Sequence, residues 1–317
     1  MSIRVGAYTP LPITWKHPLR DLPRRLRIIE RPTFTESNWD FWNLRRTERE
    51  AVLARETWLC VEEDCEDHDR DQAFVRLMER VRSATLGFQL WLPKGWDGIV
   101  IAAEQVREFF QVQRVDLVEP YAMPRWGRVL SVEKANPAEL GPLIDGTITA
   151  LESGSVPLMN PFQFLEIGLQ TAFNHRNGGG LFWTFGIDGL LGGAGGQDVF
   201  AARLCRLLGF GTRVFPEDWA GRIPVYTVGE VAKEIFGFRN RLSHGLMILE
   251  KHRKSIEFKF EPAELAYLRV EDWTQKTLIL ESALFVLLAA LRRVITTGHL
   301  ELMKDQRVWS RWLDSPA

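Results

Sequence analysis

The chain has 317 residues, of which 45% are hydrophobic and 26% charged, and its formal net charge is −1 at pH 7. This composition is ordinary for a globular protein and supplies enough apolar residues for a core. The balanced charge excludes the broad basic field of most nucleic-acid-binding proteins, so any RNA contact must depend on a local basic patch. Three cysteines without a repeated short spacing argue against a disulfide framework and fit a reducing cytoplasm.

The first 35 residues contain five prolines between short apolar pieces, which predicts loops and edge strands. Residues 27–31 alternate weakly between apolar and charged side chains and predict one short strand. Four nearby basic residues could form a solvated face or an auxiliary contact to phosphate: Arg20, Arg24, Arg25 and Arg27. The amino terminus shows no charged segment followed by an apolar run, so we expect no signal peptide.

The next stretch predicts a helix from about residue 38 to residue 58, followed by a solvated acidic connector over residues 62–69. Cys60, Cys65 and His68 lie close together and raise the alternative of a metal site. Structural zinc sites usually show a closer cysteine pair and a second pair elsewhere in the chain. We therefore expect no metal ion, and no cofactor of any other kind.

Residues 74–91 repeat apolar side chains at helical spacing and predict an amphipathic helix. Residues 98–102 and 115–118 are rich in branched apolar side chains and predict strands. Residues 1–135 are therefore expected to form a small unit of mixed helix and strand.

Asn136-Pro137 predicts the start of a helix that ends near Leu151. We place the domain boundary after that helix, which gives an N-terminal domain of residues 1–152 and a C-terminal domain of residues 153–317. The predicted fold class is α+β, with the N-terminal mixed domain followed by an all-α domain.

Within the C-terminal domain, residues 160–173 predict a helix that stops at the glycines of residues 178–180. Those glycines and the glycine-rich stretch 192–196 lack the Lys-Ser/Thr of a phosphate loop, so both are expected to be turns between helices. Residues 278–295 form the strongest apolar run but contain Glu281, Arg292 and Arg293. We expect a buried helix rather than a membrane span.

Between these segments, residues 228–238 predict a helix that carries Arg239, Asn240 and His244 on its last turns. Asn240 and His244 are four residues apart and share a face, and the Arg239 side chain is long enough to reach the same place. Gly245 suits the position just past a helix end. A guanidinium, an amide and a titrating imidazole in one patch can bind and polarise a phosphodiester. The alternative interpretation is an ordinary exposed helix end.

The sequence Arg-Asn-x-x-x-His resembles the motif of the HEPN superfamily, the higher eukaryotes and prokaryotes nucleotide-binding domains. Residues 181–191, in which Asp188 precedes Leu190-Leu191, resemble the helix that carries an acidic residue before a Leu-Leu pair in the Apea-like branch. The order of predicted helices over residues 157–297 is also similar. The resemblance covers about half of the chain.

This resemblance implies a HEPN-like helix bundle and a catalytic set of Arg239, Asn240 and His244. It implies that Asp188 pairs with Arg239, that Arg241 contacts the phosphate backbone or a partner, and that Ser243 is an extra donor. Because the chain has a single motif, the resemblance also implies a homodimer in which two motif helices face one cleft. Part of the surface of the helix at residues 278–295 would then form the dimer interface.

The expected function is that of a metal-independent endoribonuclease that cleaves RNA through its own 2′-hydroxyl, as a toxin or anti-phage defence effector in the cytoplasm. The N-terminal domain would bind an antitoxin or a trigger ligand. Two alternatives stay open: a catalytically inactive HEPN-like RNA-binding or scaffolding protein, which the net charge of −1 favours, and a housekeeping RNA-processing factor with the same chemistry.

Overall fold

The computed structural model describes residues 2–15, 20–35, 50, 52–94, 96–118, 121, 136–174, 176–215, 226–243 and 274–315. The described residues form two compact units. The first comprises residues up to Tyr121 together with those from Asn136 to Ile148, and the second begins at Thr149. The division falls inside a helix that begins at Pro137 and ends at Glu152.

The first unit is built on an antiparallel sheet of six strands, in the spatial order β2-β3-β4-β1-β5-β6. The strands are β1 (Ser2–Pro10), β2 (Arg20–Asp21), β3 (Leu26–Glu30), β4 (Thr57–Glu66), β5 (Ile99–Val106) and β6 (Phe109–Leu117). Strand β1 lies in the middle, where Tyr8 is opposite Cys60 on one side and Ile101 on the other. The N-terminal strand is therefore central rather than a loop or an edge.

Both faces of this sheet are covered. Successive side chains of a strand point to opposite faces, so apolar side chains on each face need their own packing partners. Helix α1 (Arg70–Trp91) packs against strands β1, β4 and β5. On the other face, Tyr8, Phe34, Trp58 and Phe110 pack edge-on or tilted, with ring centroids 5.1 to 6.4 Å apart. Helix α2 (Pro137–Glu152) contacts α1, where a Cβ on Gly87 would lie 2.7 Å from Ile144 Cα.

The acidic connector predicted at residues 62–69 is wrong over most of its length, because residues 57–66 are strand β4. Its carboxylates are accepted in a sheet since arginines on adjacent elements pair with them. Arg4 Nε lies 3.0 Å from Asp64 Oδ1, and Arg27 Nη2 lies 2.5 Å from Glu62 Oε2. The same strand shows that the helix predicted to reach residue 58 ends earlier, since Thr57 already pairs with β3.

The second unit is helical over most of its described length. It contains the end of α2 and helices α3 (Val156–Asn174), α4 (Arg176–Leu190), α5 (Gln197–Leu208), α6 (Val228–Ser243), α7 (Thr274–Thr296), α8 (Leu300–Met303) and α9 (Gln306–Asp314). Helix α7 contacts α3, α4, α5 and α6, and its Leu284, Leu287 and Leu291 are fully buried. Among the described residues, no helix is long and apolar enough to cross a membrane. The predicted α+β class is confirmed.

The glycines at residues 178–180 lie inside α4 and not in the predicted turn. Their position follows from close packing of α3 and α4. A Cβ on Gly179 would come 2.6 Å from Ala172 Cβ and 2.7 Å from the Gly168 carbonyl oxygen. Glycine allows the two helix backbones to approach each other here, which outweighs its low helix propensity. The later stretch 192–196 does join two helices, α4 and α5.

Candidate functional site

The predicted motif begins on the last turns of α6, and the start of that helix is fixed by its own side chains. The Glu230 carboxylate accepts hydrogen bonds from the Thr227 amide at 2.7 Å and from its hydroxyl at 2.8 Å. This arrangement is part of a capping box at the amino terminus of the helix. Val231, Ile235 and Phe238 are buried along the inner face, so the rotation of α6 about its axis is set by packing.

Arg239 and Asp188 are brought together from helices 51 residues apart in sequence. Arg239 Nη2 donates to Asp188 Oδ2 at 3.0 Å, from the end of α6 to the last turn of α4. The Arg239 side chain is 23% exposed and that of Asp188 15% exposed, so the pair is largely shielded from water. The guanidinium also lies over the Phe236 ring, 5.3 Å from its centroid. The carboxylate and the aromatic ring together fix the orientation of the cation.

The contact between Asp188 and Arg239 does not fully offset the burial of the two side chains. Burial raises the pKa of Asp188, and the charge of Arg239 and the backbone amide of Ala194 lower it only in part, so the pKa remains raised. In the described part of the chain, Asp188 Oδ1 and Arg239 Nε are buried and make no hydrogen bond. A pair built only for stability would satisfy both atoms by a bidentate contact. Here Asp188 Oδ1 and Arg239 Nε stay unpaired among the described residues, and a buried polar group without a partner calls for an explanation.

The remaining predicted site residues are located only in part. Asn240 follows Arg239 on α6 and is half-buried. Arg241 and Ser243 occupy the last turn of the helix, but their side chains lie outside the described residues. His244 follows α6 in sequence and lies outside the described residues. In the predicted dimer helix, the side chains of residues 278–280 lie outside them as well.

Three residues near this site were missed by the sequence analysis. Phe236 precedes Arg239 by three positions, a spacing that places two side chains on the same helix face and could have identified it. Arg203 and Trp309 bind the end of the helix that carries Asp188. Asp305 followed by an amphipathic run was a signal for the helix of Trp309, but no sequence pattern indicates the hydrogen bond from Trp309 to Leu190.

A second polar cluster lies in the first unit. The Tyr8 hydroxyl donates to Glu62 at 2.9 Å, and the same carboxylate pairs with Arg27 beside the buried Cys60. Burial raises the pKa of the Cys60 thiol to about 12, so the thiolate is scarce at neutral pH. Arg24 also pairs with a carboxylate, Asp145, at 2.8 Å. Ion pairs therefore engage two of the four arginines that were considered as a phosphate contact.

The side chains that were considered as an alternative metal site are not all on one side of the sheet. Cys60 and Cys65 are five residues apart on β4, so their side chains point to opposite faces of the sheet. Within the described residues, no group of three or more His, Cys, Asp or Glu side chains is placed to hold a metal ion.

Comparison with known proteins gives no match: no protein family, no curated protein and no solved structure is significantly similar to the chain. The features that bear on function are therefore the motif residues and the geometry around Arg239.

Proposed function

We propose that this protein is a metal-independent endoribonuclease of the HEPN type that cleaves RNA through its 2′-hydroxyl. The observation that carries the proposal is the shielded contact between Asp188 and Arg239. It joins the acidic position before the Leu-Leu pair to the first residue of the Arg-Asn-x-x-x-His motif, although the two are far apart in sequence. Packing of two helices does not by itself require an ion pair with buried, unsatisfied atoms.

The chemistry needs a base, an acid and stabilisation of charge on phosphorus. His244 would take the proton of the 2′-hydroxyl as its oxygen forms a bond to phosphorus. Arg239 would neutralise the non-bridging oxygens through its forked donors, and Asn240 would hydrogen-bond the phosphate or orient the histidine. The bond to the 5′-oxygen then breaks and that oxygen receives a proton. The products are a 2′,3′-cyclic phosphate and a 5′-hydroxyl.

One imidazole cannot supply both the base and the acid in a single step. The proposal therefore includes a homodimer in which the His244 side chains of two copies face one phosphate, one as base and the other as acid. Arg241 would contact the RNA backbone or the partner copy, and Ser243 would be a further donor. Asp188 would act through Arg239 as a positioning residue, because it fixes the guanidinium that meets the phosphate.

In the cell, this activity suits a cytoplasmic toxin or anti-phage defence effector. The N-terminal unit would then bind the antitoxin or the trigger. A second candidate function is binding or scaffolding on RNA without turnover, which is favoured by the net charge of −1. Both candidates use the same patch around Arg239, and they differ in whether RNA is cut.

The test is incubation of the purified protein with total RNA in excess EDTA, comparing the wild type with His244→Ala. The matched control is His68→Ala, since His68 is an exposed histidine in the other unit. We expect cleavage by the wild type and by the control, and none by His244→Ala. RNA binding without cleavage in all three would replace the nuclease by the binding protein. Equal cleavage by all three would reject His244 as the catalytic group.

A further inference from the structure

The end of α4, which carries Asp188, is held by side chains from two other helices. The last carbonyl groups of a helix lack partners within it. Trp309 of α9 donates its indole N–H to the Leu190 carbonyl at 2.5 Å. Arg203 of α5 donates to the Leu191 carbonyl at 2.7 Å. Two consecutive carbonyls, two and three residues after Asp188, are therefore bound by side chains from other helices.

These donors are themselves fixed. Arg203 forms a two-pronged pair with Asp314, with Nε to Oδ1 and Nη2 to Oδ2 both at 2.8 Å. This pair joins α5 to the last residue of α9. Asp305 caps the other end of α9 by accepting from the amides of Arg307 and Val308. Helix α9 is thus secured at both ends, with Trp309 between them.

Packing around the contact is close. Trp309 is 2% exposed, so its hydrogen bond to Leu190 lies in the interior. The turn after α4 passes directly beneath α9, where a Cβ on Gly192 would lie 2.8 Å from Ser310 Oγ. The φ angles of Gly192 and Gly193 are 72° and 71°, and the Gly193 amide donates to the Asp188 carbonyl at 3.0 Å. Glycine is needed for this turn because other residues rarely adopt such angles.

We propose that the C-terminal helix α9, through Trp309 and with Arg203, is a positioning element that holds Asp188 against Arg239. Leu190 is two residues beyond Asp188, so a shift of this helix end moves the carboxylate that orients the guanidinium. The catalytic consequence rests on the proposed function, whereas the positioning itself does not. Trp309 and Arg203 bind main-chain carbonyls and would act on the reaction only through Asp188.

The test uses the full chain and observes Arg239 directly, by the ¹⁵N–¹H resonance of its Nε, which is assigned by its loss in Arg239→Lys. Trp309→Phe keeps an aromatic ring but removes the donor to Leu190. The matched control is Trp312→Phe on the same helix, since the Trp312 ring stacks on Trp309 at 4.9 Å and its indole N–H donates to no described residue. Arg203→Lys keeps a cation near Asp314 and cannot also bind Leu191.

We expect Trp309→Phe and Arg203→Lys to shift the Arg239 Nε resonance and to speed its hydrogen exchange at least about tenfold, with Trp312→Phe close to wild type. Unchanged resonances in both test variants, or equal changes in the control, would overturn the inference. If Trp309→Phe does not fold, Arg203→Lys decides the outcome alone. Since this readout needs no RNA cleavage, an inactive wild type with the expected shifts would reject the proposed function and retain the positioning role.

Discussion

At the scale of single residues, burial makes the charged form of the Asp188 carboxyl group unfavourable. Its pKa is raised mainly by burial, although Arg239 is only 3.0 Å away. A raised pKa means that the folded protein favours the neutral carboxylic acid more than the unfolded chain does. Ionised Asp188 therefore destabilises the fold slightly, and an advantage other than stability must explain it. Under the proposed function, that advantage is the orientation of Arg239.

The substitution Asp188→Asn follows from this balance. Asparagine keeps the shape and one acceptor but removes the charge that the site disfavours, so we expect the melting temperature to be unchanged or higher. RNA cleavage should fall about a hundredfold, because the guanidinium loses its fixed orientation. Calorimetry and initial cleavage rates measure the two effects. The control is Asp198→Asn, an exposed acid paired with Lys233, which should change neither quantity.

Removing the cation instead should make stability depend on pH. In Arg239→Met, Asp188 loses the charge that lowers its pKa, so that pKa rises further. A carboxyl group whose folded pKa is raised contributes full stability below its ordinary value, near 3.8, and loses it as the pH rises through the raised value. Near neutral pH we expect a loss of about 1–3 kcal/mol in the free energy of unfolding, since a shielded charge is left unpaired.

Urea unfolding of Arg239→Met at about pH 4.5 and about pH 7.5 measures this dependence. Relative to the wild type, the loss of stability should be smaller at the lower pH. In the double variant Arg239→Met with Asp188→Asn, the extra dependence should vanish. An equal loss at both pH values in Arg239→Met would show that Asp188 is not the group responsible.

Some residues of the candidate site could be predicted from the sequence, and others could not. Asn240 and His244 were placed on one face by their spacing of four residues, because short-range helical geometry is regular, and Arg239 was added through the Arg-Asn-x-x-x-His pattern. Asp188 was linked to Arg239 only through a family resemblance, since no spacing rule connects residues on two different helices. Trp309 was not identified, because its indole binds a main-chain carbonyl and any residue type can supply that acceptor.

At the scale of elements, α3 and α4 pack closely because glycine is present on both helices. We expect Gly179→Ala to lower the free energy of unfolding by about 1–3 kcal/mol, since the new methyl group would overlap Ala172 and the Gly168 carbonyl. Gly189→Ala is the matched control on the same helix, where the nearest atom is Pro161 Cγ at 3.9 Å. It should stabilise by up to about 1 kcal/mol through helix propensity. Urea titration compares the two, and the same sign for both would contradict this packing.

Elements with strong local signals were predicted well. Helices α1 and α2 were expected over nearly their observed ranges, because apolar periodicity and an Asn-Pro start depend only on neighbouring residues. Strand β4 was missed since its acidic half is typical of a loop. It is stabilised in the sheet by arginines on β1, β3 and α1, which are distant in sequence. Gly178–Gly180 were predicted as a helix stop because glycine has a low helix propensity, and the close packing of Gly179 on α3 could not be read from the sequence pattern.

At the level of the whole molecule, the two units have different architectures and different proposed roles. The second unit contains Arg239 and Asp188, arranged around the buried helix α7. Its expected pairing with a second copy is what would complete an acid–base site. The first unit is built on an antiparallel sheet whose acidic strand is paired with arginines, and it is the proposed location for a trigger or an antitoxin.

The most direct test of the composite site is the RNA-cleaving activity of a mixed dimer. Wild type and His244→Ala are co-expressed with different affinity tags and purified through both tags in turn, so that each dimer contains one copy of each. If base and acid come from different copies, the doubly tagged dimer should form and its activity should be below about a tenth of that of the wild-type dimer. A mixed dimer with half the wild-type activity, or the absence of any doubly tagged species, would contradict it.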